Sequence, residues 1–254
     1  MNNIIFHIPH ASWEVPDEQR PFIVLDDERL SAELFAMTDA YTDKLFSAHS
    51  KAGDSIVQFP ISRLVVDPER FLDDKDEIMS KVGMGVVYWK TSKGELLRNP
   101  PAMEQKRRLL QDYYFPHHAR LTAAIKNDLA EHGSALIMDC HSFPPLPLPF
   151  ELDQNKDRPD ICVGTDPYHT QENLIEALEA AILHHGFSFS LNKPLSGSLV
   201  PLEYYHKDQR VISVMIEVNR RLYMEESTGR KSGNYEVLKD FLGTLVEVTR
   251  KNAY

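Results

Sequence analysis

The chain has 254 residues, the span of one large domain or two small ones, and its 42% hydrophobic and 26% charged content is that of a globular protein able to bury a core. Acidic residues outnumber basic ones by 38 to 28, a formal net charge of −10 that opposes attraction to phosphate backbones and anionic lipid and argues against nucleic acid or membrane partners. Two cysteines, Cys140 and Cys162, are too few for a disulfide framework or a Cys-based zinc site, so any metal would need His and carboxylate ligands.

No repeat and no long Gly/Ser linker divides the sequence, so residues 1–254 read as a single domain. With no spanning segment and no basic leader, it reads as cytoplasmic. The first strand signal, residues 4–8, leads into His7-Ile8-Pro9-His10-Ala11-Ser12. His10 there leaves the carboxyl end of a strand beside a proline, where an α/β protein displays a ligand or a base; a lone histidine in that place is more often a hydrogen-bonded structural residue. His7, inside the strand, reads as structural. From Glu28 to about His49, Leu30, Leu34, Met37, Tyr41 and Leu45 recur every three or four residues and predict one amphipathic helix. On such a helix, of ~3.6 residues per turn, Asp39 falls roughly 140° from Leu34, on the solvated face.

Residues 56–59 and 64–66 are the next strand signals, the second bracketed by Arg63 and Arg70. Two guanidinium groups so placed either clamp a substrate carboxylate or pair with Asp67 and Glu69. Residues 102–132 have helical periodicity, with Pro116 expected to kink or split the helix. The apolar run 135–138 ends in Asp139-Cys140-His141-Ser142. An imidazole at a strand end with a carboxylate two residues earlier suits a metal ligand held by an acid, or a hydrolytic base oriented by one. Cys140 points to the opposite face from His141 and makes a poor nucleophile partner. The proline-rich stretch 143–150 is a stiff loop, either a connector or an active-site wall. Strand 161–163, helix 169–185, strand 211–218 and helix 235–250 complete the pattern. Glu217 interrupts an otherwise apolar strand, which is costly unless the carboxylate is paired, with Arg220 or Arg221, or has catalytic work that a raised pKa would serve. The alternation of elements predicts an α/β, three-layer architecture with a mixed, mostly parallel sheet flanked by helices.

Taken in order, residues 7–12, Thr38-Asp39-Ala40-Tyr41, residues 62–70, Asp139-Cys140-His141-Ser142, Asn192-Lys193-Pro194 and residues 217–224 resemble the N-formylglutamate amidohydrolase family across nearly the whole chain. That family is similar to the zinc-carboxypeptidase-like hydrolases. The resemblance implies one Zn2+ ion held by His10, His141 and a third ligand, Asp39, with Glu14 the competitor. It implies Glu217 as general base and acid, and a small acidic amide substrate, an N-formyl or N-acyl amino acid such as N-formylglutamate. Arg63 and Arg70 fall in the family's substrate-recognition stretch, and His118 matches the histidine of its Tyr-x-Pro-Tyr-His segment. Glu69 departs from the family pattern, standing where asparagine is usual and placing a negative charge beside the expected carboxylate site. The alternatives are a zinc peptidase or N-acyl amino-acid deacylase of different substrate choice, or a catalytically silent relative that binds an acidic metabolite. A metal-free hydrolase using Ser12, Ser142 or Cys140 lacks a Gly-x-Ser-x-Gly elbow.

Overall fold

Apolar runs without polar alternation make strands covered on both faces. In the computed structural model, which describes residues 3–253, two such runs form the centre of the sheet. These are β3 (Ala135–Phe143) and β6 (Val211–Asn219), buried at every position. Around them lie β1 (Ile5–Ile8), β2 (Ser55–Gln58), β4 (Ile161–Gly164) and β5 (Phe189–Leu191), in the order β2-β1-β3-β6-β4-β5. Neighbours pair in parallel except β4, which runs antiparallel to β6. The sheet is therefore mixed and mostly parallel, as the sequence predicts.

Helices cover both faces. Alternation along each strand sends Phe6, Met138, Cys140, Val214 and Ile216 into a core closed by α2 (Thr42–Ser47), α5 (Glu172–His184) and α6 (Tyr235–Asn252). The opposite parity sends Ile5, Ile137 and Val211 against Leu121 and Ile125 of α4 (Phe115–His132, the last helix before β3). That second parity matters for function, because the same face carries His7, Asp139, His141 and Glu217 toward the carboxyl ends of the strands. Register aligns them in pairs, His7 with Asp139 and His141 with Glu217.

Three expectations are corrected. Residues 64–66 form no strand: Leu64 and Val65 lie in a turn closed by the Val65 N–H bond to Ser62 O, and their apolar side chains pack into clusters flanking the sheet. The helix expected from Glu28 to His49 is two, α1 (Asp27–Met37) and α2, interrupted where Thr38 turns extended and Tyr41 adopts φ 69°. Residues 102–132 do divide into two helices, just before Pro116, as the sequence predicts. Pro116 follows α3 (Met103–Leu109) and a π-helical turn, Leu110–Tyr114, at the start of α4, where a missing N–H is tolerated. β5, a short half-exposed edge strand, was not legible as apolar alternation. The 135–138 strand also runs on to Phe143, so the proline loop begins one residue beyond it.

Candidate metal centre

Three separate pieces of backbone converge beyond the strand ends. β1 delivers His10, the break between α1 and α2 delivers Asp39, and β3 delivers His141; all three are buried. One ligand atom from each lies within 4.8 Å of the other two. The break is what turns Asp39 inward, overturning the solvated face that helical periodicity assigns to it. Its N–H bonds to His10 O at 3.0 Å, tying the α1–α2 junction to the end of β1. Arg220 fixes the other side: its Nη1 lies 3.1, 3.3 and 3.2 Å from the carbonyls of Phe35, Ala36 and Thr38, capping the end of α1, and its Nη2 donates to Glu226 at 3.0 Å.

Both imidazoles are oriented through their far nitrogens. His10 Nε2 donates to Asp67 Oδ1 at 2.9 Å, and His141 Nε2 lies 3.1 Å from both Asp139 Oδ1 and Glu69 Oε1. Carboxylates only accept, so Nε2 of each ring carries a proton and Nδ1 is the nitrogen aimed inward, a lone pair for an ion wherever it is not itself protonated. There Asp39 Oδ2 lies 3.0 Å from His141 Nδ1 and 3.8 Å from His10 Nδ1, and His10 Nδ1 has no hydrogen-bond partner among the described residues. Two ligands each ~2.0–2.2 Å from one zinc ion lie at most about 4.4 Å apart, so both distances suit a shared ion. Two inward imidazole nitrogens and an anionic oxygen this close together call for a cation, a proton or a metal ion, and the electrostatics say the same. Burial opposes charge on His141, yet Glu69 and Asp139 outweigh it and hold the pKa well above the ordinary histidine value. Burial likewise works against the Asp39 carboxylate, and the two histidines overcome it, lowering its pKa. A place that holds a proton this firmly is one where a divalent ion displaces it.

Glu217 sits beside this group. Burial, reinforced by the charges of Asp39, Glu69 and Asp139 and opposed by His141, pushes its pKa up to about 8, and Oε2 has no hydrogen-bond partner among the described residues. Neither arginine considered as its partner reaches it: Arg220 is committed to α1 and Glu226, and Arg221 donates to Asp160 at 2.7 Å. Glu14 is exposed and belongs to no metal-competent group. Arg63 and Arg70 both line the cleft, each holding the fully buried Asp67: Arg63 Nη2 at 2.7 Å and Arg70 Nε at 3.4 Å from Oδ2. The paired reading is thus realised in the interior rather than at the surface, with 14% and 21% of the two side chains left exposed. His118 stands apart from the cluster. Its ring stacks on Tyr114 at 4.2 Å, its Nε2 donates to Pro68 O at 2.8 Å, and burial lowers its pKa to about 4, so it is a neutral wall residue of an adjoining lobe.

Three contributors escaped sequence reasoning. Asp67 orients His10, and only its spacing of four from Arg63 hinted at a role. His7 donates through Nδ1 to Asp139 at 2.7 Å and meets His117 at 2.9 Å; its shared parity with Asp139 was the available signal. Arg220 had none. The loop after β3 supplies wall residues Pro144, Leu148 and Phe150, while Cys140 lies in the core with its pKa raised by burial.

The family model for N-formylglutamate amidohydrolase matches residues 2–224. The chain is 26% identical over 233 residues to an N-formylglutamate deformylase of Pseudomonas putida, covering 88% of this chain and 82% of that one. It is 28% identical over 207 residues to one of Pseudomonas aeruginosa, covering 79% and 76%. The crystal structure of an N-formylglutamate amidohydrolase from Ralstonia eutropha JMP134 superposes with a TM-score of 0.81 at 20% identity, over 100% of this chain and 94% of the other. A gene product of Agrobacterium tumefaciens gives 0.72 at 18% identity, over 98% and 90%. Both superpositions speak to the fold.

Proposed function

Because the chain belongs to the N-formylglutamate amidohydrolase family, whose members are hydrolases of linear amides, we propose that it cleaves the amide of a small N-formyl or N-acyl amino acid, N-formylglutamate among them, with one zinc ion. The observation that supports the reading best is the convergence of His10, Asp39 and His141, each ring held from behind by a carboxylate, next to a glutamate with an unpartnered oxygen. Two imidazoles and one carboxylate are a donor set suited to zinc with a fourth position open. An ion held there supplies Lewis-acid polarisation of the scissile carbonyl and of a water molecule.

The rest is done by this chain's side chains. Glu217 Oε2 takes the proton of the attacking water and returns it to the leaving nitrogen, so amide and water become acid and amine with no net proton change. Burial raises the pKa of this carboxyl, which suits it to hold the proton between the two transfers. Arg63 or Arg70 holds the substrate carboxylate, and Phe143, Leu148 and Phe150 wall the lobe from bulk water. Among the described residues no helix is long and apolar enough to cross a membrane.

The test is metal analysis of the purified protein combined with a screen of formylated and acetylated amino acids. About one zinc per chain and chelator-sensitive release of an acyl group are expected. Turnover that survives complete metal removal overturns the mechanism.

A further inference from the structure

The stripe of α4 that faces the sheet runs His117, Leu121, Ile125, one residue per turn. Leu121 and Ile125 pack into the core between helix and strands, and His117 is as fully buried as they are. A leucine in that place would leave no polar atom to satisfy, so an imidazole there is costly unless its hydrogen bond is used. Phe59 meets the ring in a T-shaped contact at 5.1 Å, and Nδ1 has no hydrogen-bond partner among the described residues. The one polar contact is Nε2, 2.9 Å from Nε2 of His7.

The protons of this contact can be placed. Burial, reinforced by His7, His118 and Arg120, pushes the His117 pKa far below the ordinary histidine value, so the ring is neutral and carries a single proton. On Nδ1 that proton would have no acceptor; on Nε2 it meets His7. His7 is ready to receive it. Its Nδ1 lies 2.7 Å from Asp139 Oδ1 and must donate, because a carboxylate only accepts, which leaves Nε2 as the lone pair. Asp139 Oδ1 also takes the His141 Nε2 proton at 3.1 Å, and Oδ2 takes the Leu199 N–H at 3.0 Å.

We infer that His117 is a positioning residue of the metal centre: its Nε2 proton orders His7, His7 holds Asp139, and Asp139 keeps a proton on Nε2 of His141 so that Nδ1 is left for the ion. The inference rests on the zinc assignment of the amidohydrolase reading above and extends that site to α4. Without the His117 donor, His7 is free to carry its proton on Nε2 and to turn a lone pair toward Asp139. The carboxylate then loses a donor and its place behind His141. Nothing would hold the His141 proton away from Nδ1, where Asp39 Oδ2 at 3.0 Å competes for it with the ion.

The experiment measures zinc affinity of the full chain, by competition with a chromophoric chelator, alongside Tm of the metal-free protein. His117→Phe fills the same space without a donor, and His117→Gln restores an N–H at the reach of Nε2. His117→Phe should keep Tm within about 3 °C of wild type or raise it, since a buried polar ring is removed, yet raise the zinc Kd about tenfold. His117→Gln should return the Kd to within about threefold of wild type. A space-filling role alone would leave Kd unmoved, and an unchanged Kd in His117→Phe, or an equal loss in both variants, overturns the inference. Long-range 1H–15N spectra of the imidazoles in the zinc-loaded wild type supply a readout that needs no variant and stands where His117→Phe fails to fold. His117 should show a proton on Nε2 and a bare Nδ1, and His7 a proton on Nδ1 alone. A proton on Nδ1 of His117, or a doubly protonated His7, overturns this inference while leaving the zinc site intact. A wild type that binds no zinc overturns the metal assignment and this inference with it.

Discussion

Arg220→Ala tests whether the break after α1 is held in place from outside. The guanidinium is buried, and one nitrogen, Nη1, serves the carbonyls of Phe35, Ala36 and Thr38, the last of them immediately before Asp39. Nη1 carries two hydrogens for three acceptors, so it counts as two charge-assisted bonds of ~1.5–2 kcal/mol each, a loss of about 3–4 kcal/mol. Glu226 is part exposed and rehydrates at little cost when its partner goes. At roughly 2–4 °C per kcal/mol for a domain of this size, Tm should fall by about 6–16 °C, within the ~5–15 kcal/mol that a native domain has in hand. The protein should stay folded at 25 °C while Asp39 loses its anchor. Zinc affinity, measured by competition with a chromophoric chelator, should then drop about 10- to 100-fold, the usual cost of losing a residue that positions a ligand. Arg220→Lys should recover stability only in part, since one ammonium cannot reach α1 and Glu226 together. Unchanged zinc affinity in a destabilised Arg220→Ala protein would refute the reasoning, showing that Asp39 is placed by its own backbone bond to His10.

Other outcomes follow from the same geometry. Glu217→Gln should lower kcat about 10²- to 10⁴-fold while retaining stoichiometric zinc, which metal analysis checks; activity within threefold of wild type would remove Glu217 from the proton path. His141→Ala should fold, with near-native circular dichroism, yet bind less than about a tenth of an equivalent of zinc and show no turnover; full activity there would dismiss the metal assignment. In the metal-free protein the Glu217 carboxyl has a folded-state pKa of about 8, above its ordinary 4.5, so the stability it contributes is fully present below about 4.5 and is lost as pH rises through about 8. Denaturant titrations of metal-free wild type should accordingly fall more steeply between pH 5 and 8 than those of metal-free Glu217→Gln. Parallel curves would mean that the carboxyl is solvated.

Much of the fold is local and was legible as such. Strand positions 4–8, 135–138, 161–163 and 211–218 were readable because residues buried on both faces must be apolar in succession, and such runs of four to eight residues suit strands better than helices. The failures occurred where a local pattern had two continuations. Residues 64–66 are apolar enough for a strand but have no strand to pair with, so they became a turn between two hydrophobic clusters. The periodicity from Glu28 to His49 is real on both sides of Thr38, yet it carries no mark of the break, because the energy that sustains the break lies in Arg220 and His10, remote in sequence.

The site divides in the same way. Residue chemistry and the positions of His10, His141 and Glu217 at strand ends were fixed by the chain itself, since strand parity and the direction of a parallel sheet leave few places for them to point. What faces them was settled only by packing. Asp39 turns inward, Asp67 sits behind His10, both arginines are spent partly on Asp67, and Glu69 stands between two lobes of one cleft. The physical reason is that a charge is sorted into ligand, orienter or counter-ion by what lies within a few ångströms of it. Those neighbours come from segments as far apart as residues 39, 69 and 141, brought together only when the two faces of the sheet are closed by helices.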